Sequence, residues 1–168
     1  MNSFTRHAVV LVLVMFVAIS FGKENPDFSG DWILDKELSK MPESSIQICK
    51  IKIKQDGDKL ATSRTYENDY GEEYPFSEDV TLGGDPLEHF IYDMPRKAEA
   101  KWSKDKKTII FESTTTYYGD SGEVDMLAKE NWSLDKKAAT LTIEFTSSSS
   151  MGEQKGTAVF KKAAKKAE

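Results

Sequence analysis

Apolar and polar positions alternate along most of this chain with a period of two, in short runs broken by turn-forming clusters. An extended chain sends successive side chains to opposite faces, so this period predicts β-strands with one buried side. The run WILD (32–35) opens the series. IQICKIKIK (46–54) turns at DGDK and returns as LATSRTYE (60–67), an Asp-Gly hairpin signal that rests on the ease with which glycine takes a positive φ. PFSEDVTL (75–82) and LEHFIYD (87–93) follow on either side of GGDP. Then come RKAEAKWS, TIIFESTTTYY, EVDMLAKENWSL, ATLTIEFTSS and QKGTAVFKK, parted by KDKK, GDSG, DKKA and MGE. No window carries a helical period, and LDKELSKMPESS (34–45) permits at most one short helical turn before Pro42. Nine or ten sequential strands with turns every eight to twelve residues or so predict an all-β fold. Closing such an antiparallel up-and-down meander into a barrel of about eight to ten strands removes its edges.

The alternation also sorts the side chains. Ala98, Ala100 and Trp102 share one face, opposed by Lys97, Glu99 and Lys101. Val124, Met126, Ala128, Trp132 and Leu134 share another, and parity places Glu130 among them. In LATSRTY, Leu60, Thr62, Arg64 and Tyr66 point the same way. A buried charge left unpaired is costly, so three readings stand for Arg64 and Glu130. They are partners of each other, they grip a ligand that enters the barrel, or a bulge turns one of them outward. Ile46 and Ile48 fall on even positions and Ile51 and Ile53 on odd ones, which predicts an irregularity near Cys49 and Lys50. Ile109, Phe111, Leu141, Ile143, Phe145, Ala158 and Phe160 complete the expected interior. Its alanines either leave room for a ligand or let Trp102 and Trp132 close the space.

Composition narrows the setting. Residues 1–22 read as a cleaved secretory signal, with Arg6 and His7 before the apolar run AVVLVLVMFVAIS and small residues near Gly22. The run is too short for a comfortable membrane span. Residues 23–162 then form one domain and 163–168 a basic tail. The formal charge is −5, and loss of Arg6 with the leader makes the remainder one unit more acidic, which disfavours a nucleic-acid partner. Cys49 is the single cysteine. An exported domain without an internal disulfide suits a bacterial periplasm or exterior. His89 is the one histidine beyond the leader and reads as a strand residue at a rim. With one histidine and one cysteine, a zinc site of nitrogen and sulfur ligands cannot be assembled without leaning on carboxylates, and a serine-histidine-acid triad has no nucleophile motif to support it, so no metal, cofactor or catalytic residue is expected.

KWSKDKKTIIFES (101–113) and NWSLDKKAATLTIEF (131–145) form a repeat displaced by thirty residues, each copy a strand, a charged turn and a strand. Gly30-Asp31-Trp32 at the start of the meander resembles the G-x-W motif of lipocalins and the wider calycin group. The chain from about 26 to 162 resembles bacterial exported lipocalin-like proteins with an F-S-G-x-W start and repeated W-S-x-D-x-K hairpins. The resemblance implies a barrel, with Trp32 plugging one end, that holds a small apolar molecule. The mid-chain T-D-Y motif and the last-strand arginine of true lipocalins have no counterpart. The expected function is non-enzymatic binding of a small lipophilic ligand by a monomer, with Arg64, Glu130, Trp102, Trp132, Phe111 and Tyr66 as candidate contacts. The alternative is a solid envelope or interaction module without a ligand.

Overall fold

A computed structural model describes residues 25–44, 46–119, 122–137 and 139–164. The leader and the last four residues of the basic tail lie outside the described residues. Ten strands follow one another: β1 (Gly30–Leu34), β2 (Ile46–Asp56), β3 (Lys59–Asn68), β4 (Glu73–Thr81), β5 (Leu87–Ile91), β6 (Met94–Trp102), β7 (Thr108–Gly119), β8 (Gly122–Asp135), β9 (Thr140–Ser149) and β10 (Gly152–Lys162). They form one antiparallel sheet in the order β4-β3-β2-β1-β10-β9-β8-β7-β6-β5. Because β1 pairs with both β2 and β10, the start and end of the meander are stitched together, and the sheet curls into a nearly closed barrel. The expected all-β meander is therefore present strand for strand, and the register slips between Ile48 and Lys50, where the alternation changes phase.

The remaining edges, β4 and β5, meet without a ladder of backbone bonds among the described residues. A single parallel bridge joins Leu82 to Ala100, and the Gly83 N–H donates to the Ala100 carbonyl at 2.7 Å. Side chains close the rest of this seam.

The glycine that opens the first strand has a conformational cause. Gly30 has φ +149°, and a Cβ there would stand 2.7 Å from Lys162 Cε. Lys162 can therefore cross to the Ser29 carbonyl, 3.1 Å away, with its ammonium 5.3 Å from the Trp32 ring centroid. The lysine of the last strand thus covers the Trp32 ring. Trp32 is buried and donates its indole N–H to the Phe28 carbonyl at 3.0 Å, fixing one end of the barrel.

The segment between β1 and β2 forms a strap rather than a helix. Asp35 accepts the N–H groups of Glu37 and Leu38, making one turn, and Lys40 exchanges backbone bonds with Thr157 of β10. The Ser39 hydroxyl adds a bond from the Val159 N–H.

Inside, residues paired across β6 to β10 line up in layers. Trp102, Ile109, Trp132, Ile143 and Ala158 make one layer, and Ala100, Phe111, Glu130, Phe145 and Gly156 the next. Above them come Ala98, Ser113, Ala128, Ser147 and Gln154. Large rings fill the lower layers. Apart from the exposed Gln154, the upper one is built of small residues, and these five strands leave its space unfilled.

Candidate functional site

At the boundary between the filled and unfilled layers stands Arg64 of β3, which is 2% exposed. Its Nη1 donates to Glu130 Oε1 at 2.7 Å, and its Nε lies 3.7 Å from Glu78 Oε1. The guanidinium carbon is 4.9 Å from the Phe111 ring centroid and 5.1 Å from that of Trp132, two rings that stack 5.7 Å apart. Trp132 donates its indole N–H to Glu130 Oε2 at 2.6 Å. Of the three sequence readings for Arg64 and Glu130, the structure realises the ion pair and excludes a bulge that would expose either residue.

Glu78 of β4 joins this pair to the seam. Arg96 of β6 grips it with two bonds, of 2.9 and 3.1 Å, and donates a third to Thr115 Oγ1 at 3.0 Å. His89 of β5 brings Nε2 to 3.4 Å from the same carboxylate. Tyr92, in the turn between β5 and β6, donates its hydroxyl to the Pro75 carbonyl. Planar arginine forks suit such two-bond contacts with a carboxylate, so β4 is held to β5 and β6 by charge where backbone pairing stops.

Electrostatics keep Arg64 and Glu78 ionised. Burial works against the Arg64 charge, but the carboxylates of Glu130 and Glu78 outweigh it and hold its pKa above the ordinary value. Burial likewise raises the Glu78 carboxyl, and Arg64 and Arg96 overcome it, so the net shift is downward. The Tyr66 phenol is pushed up by burial, against the pull of the neighbouring Arg64.

A cavity opens above Arg64. One lobe of about 410 Å³ is bounded by Tyr66, Tyr74, Phe76, Met94, Thr115 and Tyr117, and a second of about 200 Å³ reaches Met41, Ile48, Phe145 and Gln154. Both lobes share Arg64, Tyr66, Met126, Ala128 and Glu130. Arg64 Nε and Nη2 are buried without a hydrogen-bond partner. Tyr66 is close enough to feel the guanidinium charge but does not make a well-formed hydrogen bond to it. A groove of about 610 Å³ on the outer face is lined instead by charged residues such as Glu112, Lys101's partner, and Lys129, which pair with each other. It has none of the interior's burial.

The candidate contacts divide. Arg64, Glu130 and Tyr66 line the cavity, while Phe111 and Trp132 form the floor beneath Arg64. Trp102 packs against Phe28 in the closed end, with ring centroids 6.1 Å apart, away from the cavity. Trp32 lies at that same end. His89 belongs to the seam network rather than simply to a rim. Glu78, Arg96 and Thr115 were not among the candidates, although the signal existed. Val80 and Leu82 put Glu78 on the inward face, and Ala98 and Ala100 do the same for Arg96.

On the outer face, Cys49, Glu67 and Glu73 bring a sulfur and two carboxylate oxygens within 4.8 Å of one another. The thiol donates to the Thr65 carbonyl at 3.3 Å, burial pushes its pKa up, and Lys50 pairs with Glu73. These groups are engaged within the fold, and a raised thiol is a poor metal ligand.

No protein-family model and no curated protein matches the sequence. Among solved structures, the zebrafish ileal bile acid-binding protein complexed with cholic acid is similar over 81% of this chain and 98% of its own, with a TM-score of 0.44 and 12% identity. No residue role is carried from it to this chain.

Proposed function

We propose that the protein is an exported bacterial lipocalin-like barrel that binds a small apolar or amphipathic molecule non-covalently in its interior. The observation that carries this reading is a cavity above a charged floor, with a buried arginine presenting donors that no protein group accepts. Its 410 Å³ lobe is within the usual range for small-molecule sites, roughly 300–1,000 Å³. The walls mix Ile, Met and aromatic side chains with a few polar groups, the composition of a binding pocket. Glu78 and Glu130 are each engaged by an arginine, which suits orientation better than proton transfer and speaks for binding rather than catalysis. The leader-like residues 1–22 support export, a single cysteine suits a bacterial periplasm or exterior better than a disulfide-forming extracellular fluid, and the sequence reading has the protein act as a monomer.

Native mass spectrometry on the protein purified without detergent tests this directly. An added mass that is released on unfolding and lost in Arg64→Ala is the expected result. A bare chain that also takes up nothing from an incubated lipid extract would assign the barrel to the alternative, an envelope or interaction module.

A further inference from the structure

We propose that the ligand's polar group is uncharged: an apolar molecule carrying a hydroxyl or carbonyl oxygen rather than an ionised acid. This rests on the binding reading above. The inference follows from how the interior charges are already matched. Two cations, Arg64 and Arg96, face two anions, Glu130 and Glu78, in one contiguous set of contacts. The titratable groups beside them are His89, at 3.4 Å from Glu78, Tyr66, and Tyr117, which feels the Arg96 charge.

Each carboxylate is served. Glu130 receives Arg64 Nη1 and Trp132 Nε1, and Glu78 receives two bonds from Arg96. What remains is not a charge but a hydrogen-bonding capacity, the unmet N–H groups of Arg64 Nη2, since Nε already faces Glu78 Oε1 at 3.7 Å. Those donors belong to a side chain that lines both lobes of the cavity. A buried donor without an acceptor is costly, so the vacancy selects an acceptor. An ionised carboxylate would satisfy the donor but bring an extra negative charge beside Glu130 and Glu78 in a site removed from water. Desolvating that charge is repaid only by a cation still free to pair, and Arg64 is already paired at 2.7 Å. An alcohol, ester, ketone or amide oxygen accepts the same hydrogen bond and leaves the balance unchanged.

The test uses a medium-chain fatty acid and the alcohol and methyl ester of the same chain, each titrated calorimetrically into the purified protein at mildly alkaline pH, where the acid is ionised. The alcohol or ester is expected to bind about tenfold or more tightly than the acid, the ratio set by roughly 1.4 kcal/mol. Glu130→Gln keeps an acceptor for Trp132 but frees the Arg64 charge, and it should move the preference toward the acid. Should that variant fail to fold, Glu78→Gln removes the other anion and should move the preference the same way. Equal affinities, or a tighter acid in the unmodified protein, would overturn the uncharged-ligand inference while leaving the protein a binder. If none of the three binds and the purified chain is bare, the binding reading fails as well.

Discussion

The two ends of the barrel are made from the same ten strands and behave as different materials. Toward Trp32, the rings of Phe28, Trp132 and Phe160 and the side chains of Leu60, Ile109 and Leu141 are fully buried and fill the interior. Toward Tyr74, Tyr92 and Tyr117, the facing positions are alanine, serine, threonine and methionine, and a cavity remains. Strand pairing from β2 to β4 and from β6 to β10 runs through both halves, although β4 and β5 share no ladder, so the pairing of those strands does not separate the halves. Side-chain volume at a handful of inward positions does, with the ion pair of Arg64 and Glu130 as the boundary. The contrast assigns stability to the closed half and selectivity to the open one.

The largest expected effect comes from breaking the closed half. Phe160→Ala should cost about 4 kcal/mol in denaturant unfolding, because this fully buried ring parts the filled end from the smaller lobe and its neighbours can collapse only partly around the space left behind. A loss under about 1 kcal/mol would mean the closed half is looser than its packing indicates.

Next comes the boundary. Arg64→Met leaves Glu130 buried with its indole partner alone and should cost about 3 kcal/mol. Pairing it with Glu130→Gln should recover part of that loss, a coupling that a double-mutant cycle would measure. Strictly additive losses would show that the pair contributes nothing as a pair.

A smaller effect is expected at acid pH. The folded-state pKa of Glu78 is depressed below the ordinary 4.5, so its contribution is full above that value and is lost as the pH falls through the lowered one. The Glu112 carboxyl, held by Lys129 and Lys101 on the outer face, is drawn down to about 2, and its contribution is lost in the same direction. Solvent screening reduces the Glu112 share, because that pair is part exposed. Stability followed by thermal unfolding should therefore decline below pH 4.5, and Glu78→Gln should flatten the decline more than Glu112→Gln does. The reverse ranking would place the acid-sensitive contacts outside the barrel.

The smallest effect on stability, and the sharpest contrast with Phe160, is expected at Met126 in the open half. Met126→Ala should change unfolding by less than about 1 kcal/mol, since it enlarges a space that is already empty. It should nonetheless alter affinity for an interior ligand, measured by the same titrations. A loss comparable to that of Phe160→Ala would mean the open half is as tightly packed as the closed one.

Much of this was legible along the chain. Alternation located each strand, and parity placed Ala98, Ala100, Glu130 and Arg64 inside. The switch of phase between Ile48 and Ile51 located the bulge. Parity also held the information for Glu78 and Arg96, and the cue lay in the apolar company each keeps on its face. His89 had no such cue that it would meet Glu78, because β4 and β5 are neighbours through closure of the sheet and not through a shared hairpin ladder.

The sequence by itself determined the strands, the turns and the inward stripe of each strand, because alternation and turn chemistry are local properties of the backbone. Only the tertiary structure decided that Glu78, Arg96 and His89 meet across the seam, that Lys162 covers Trp32, and that a cavity opens at Ala128 while Ala98 and Ala100 are packed away from it. Those outcomes depend on curvature and on which side chains from distant strands share a layer, and volume in a layer is a sum over strands that no single stretch of sequence contains.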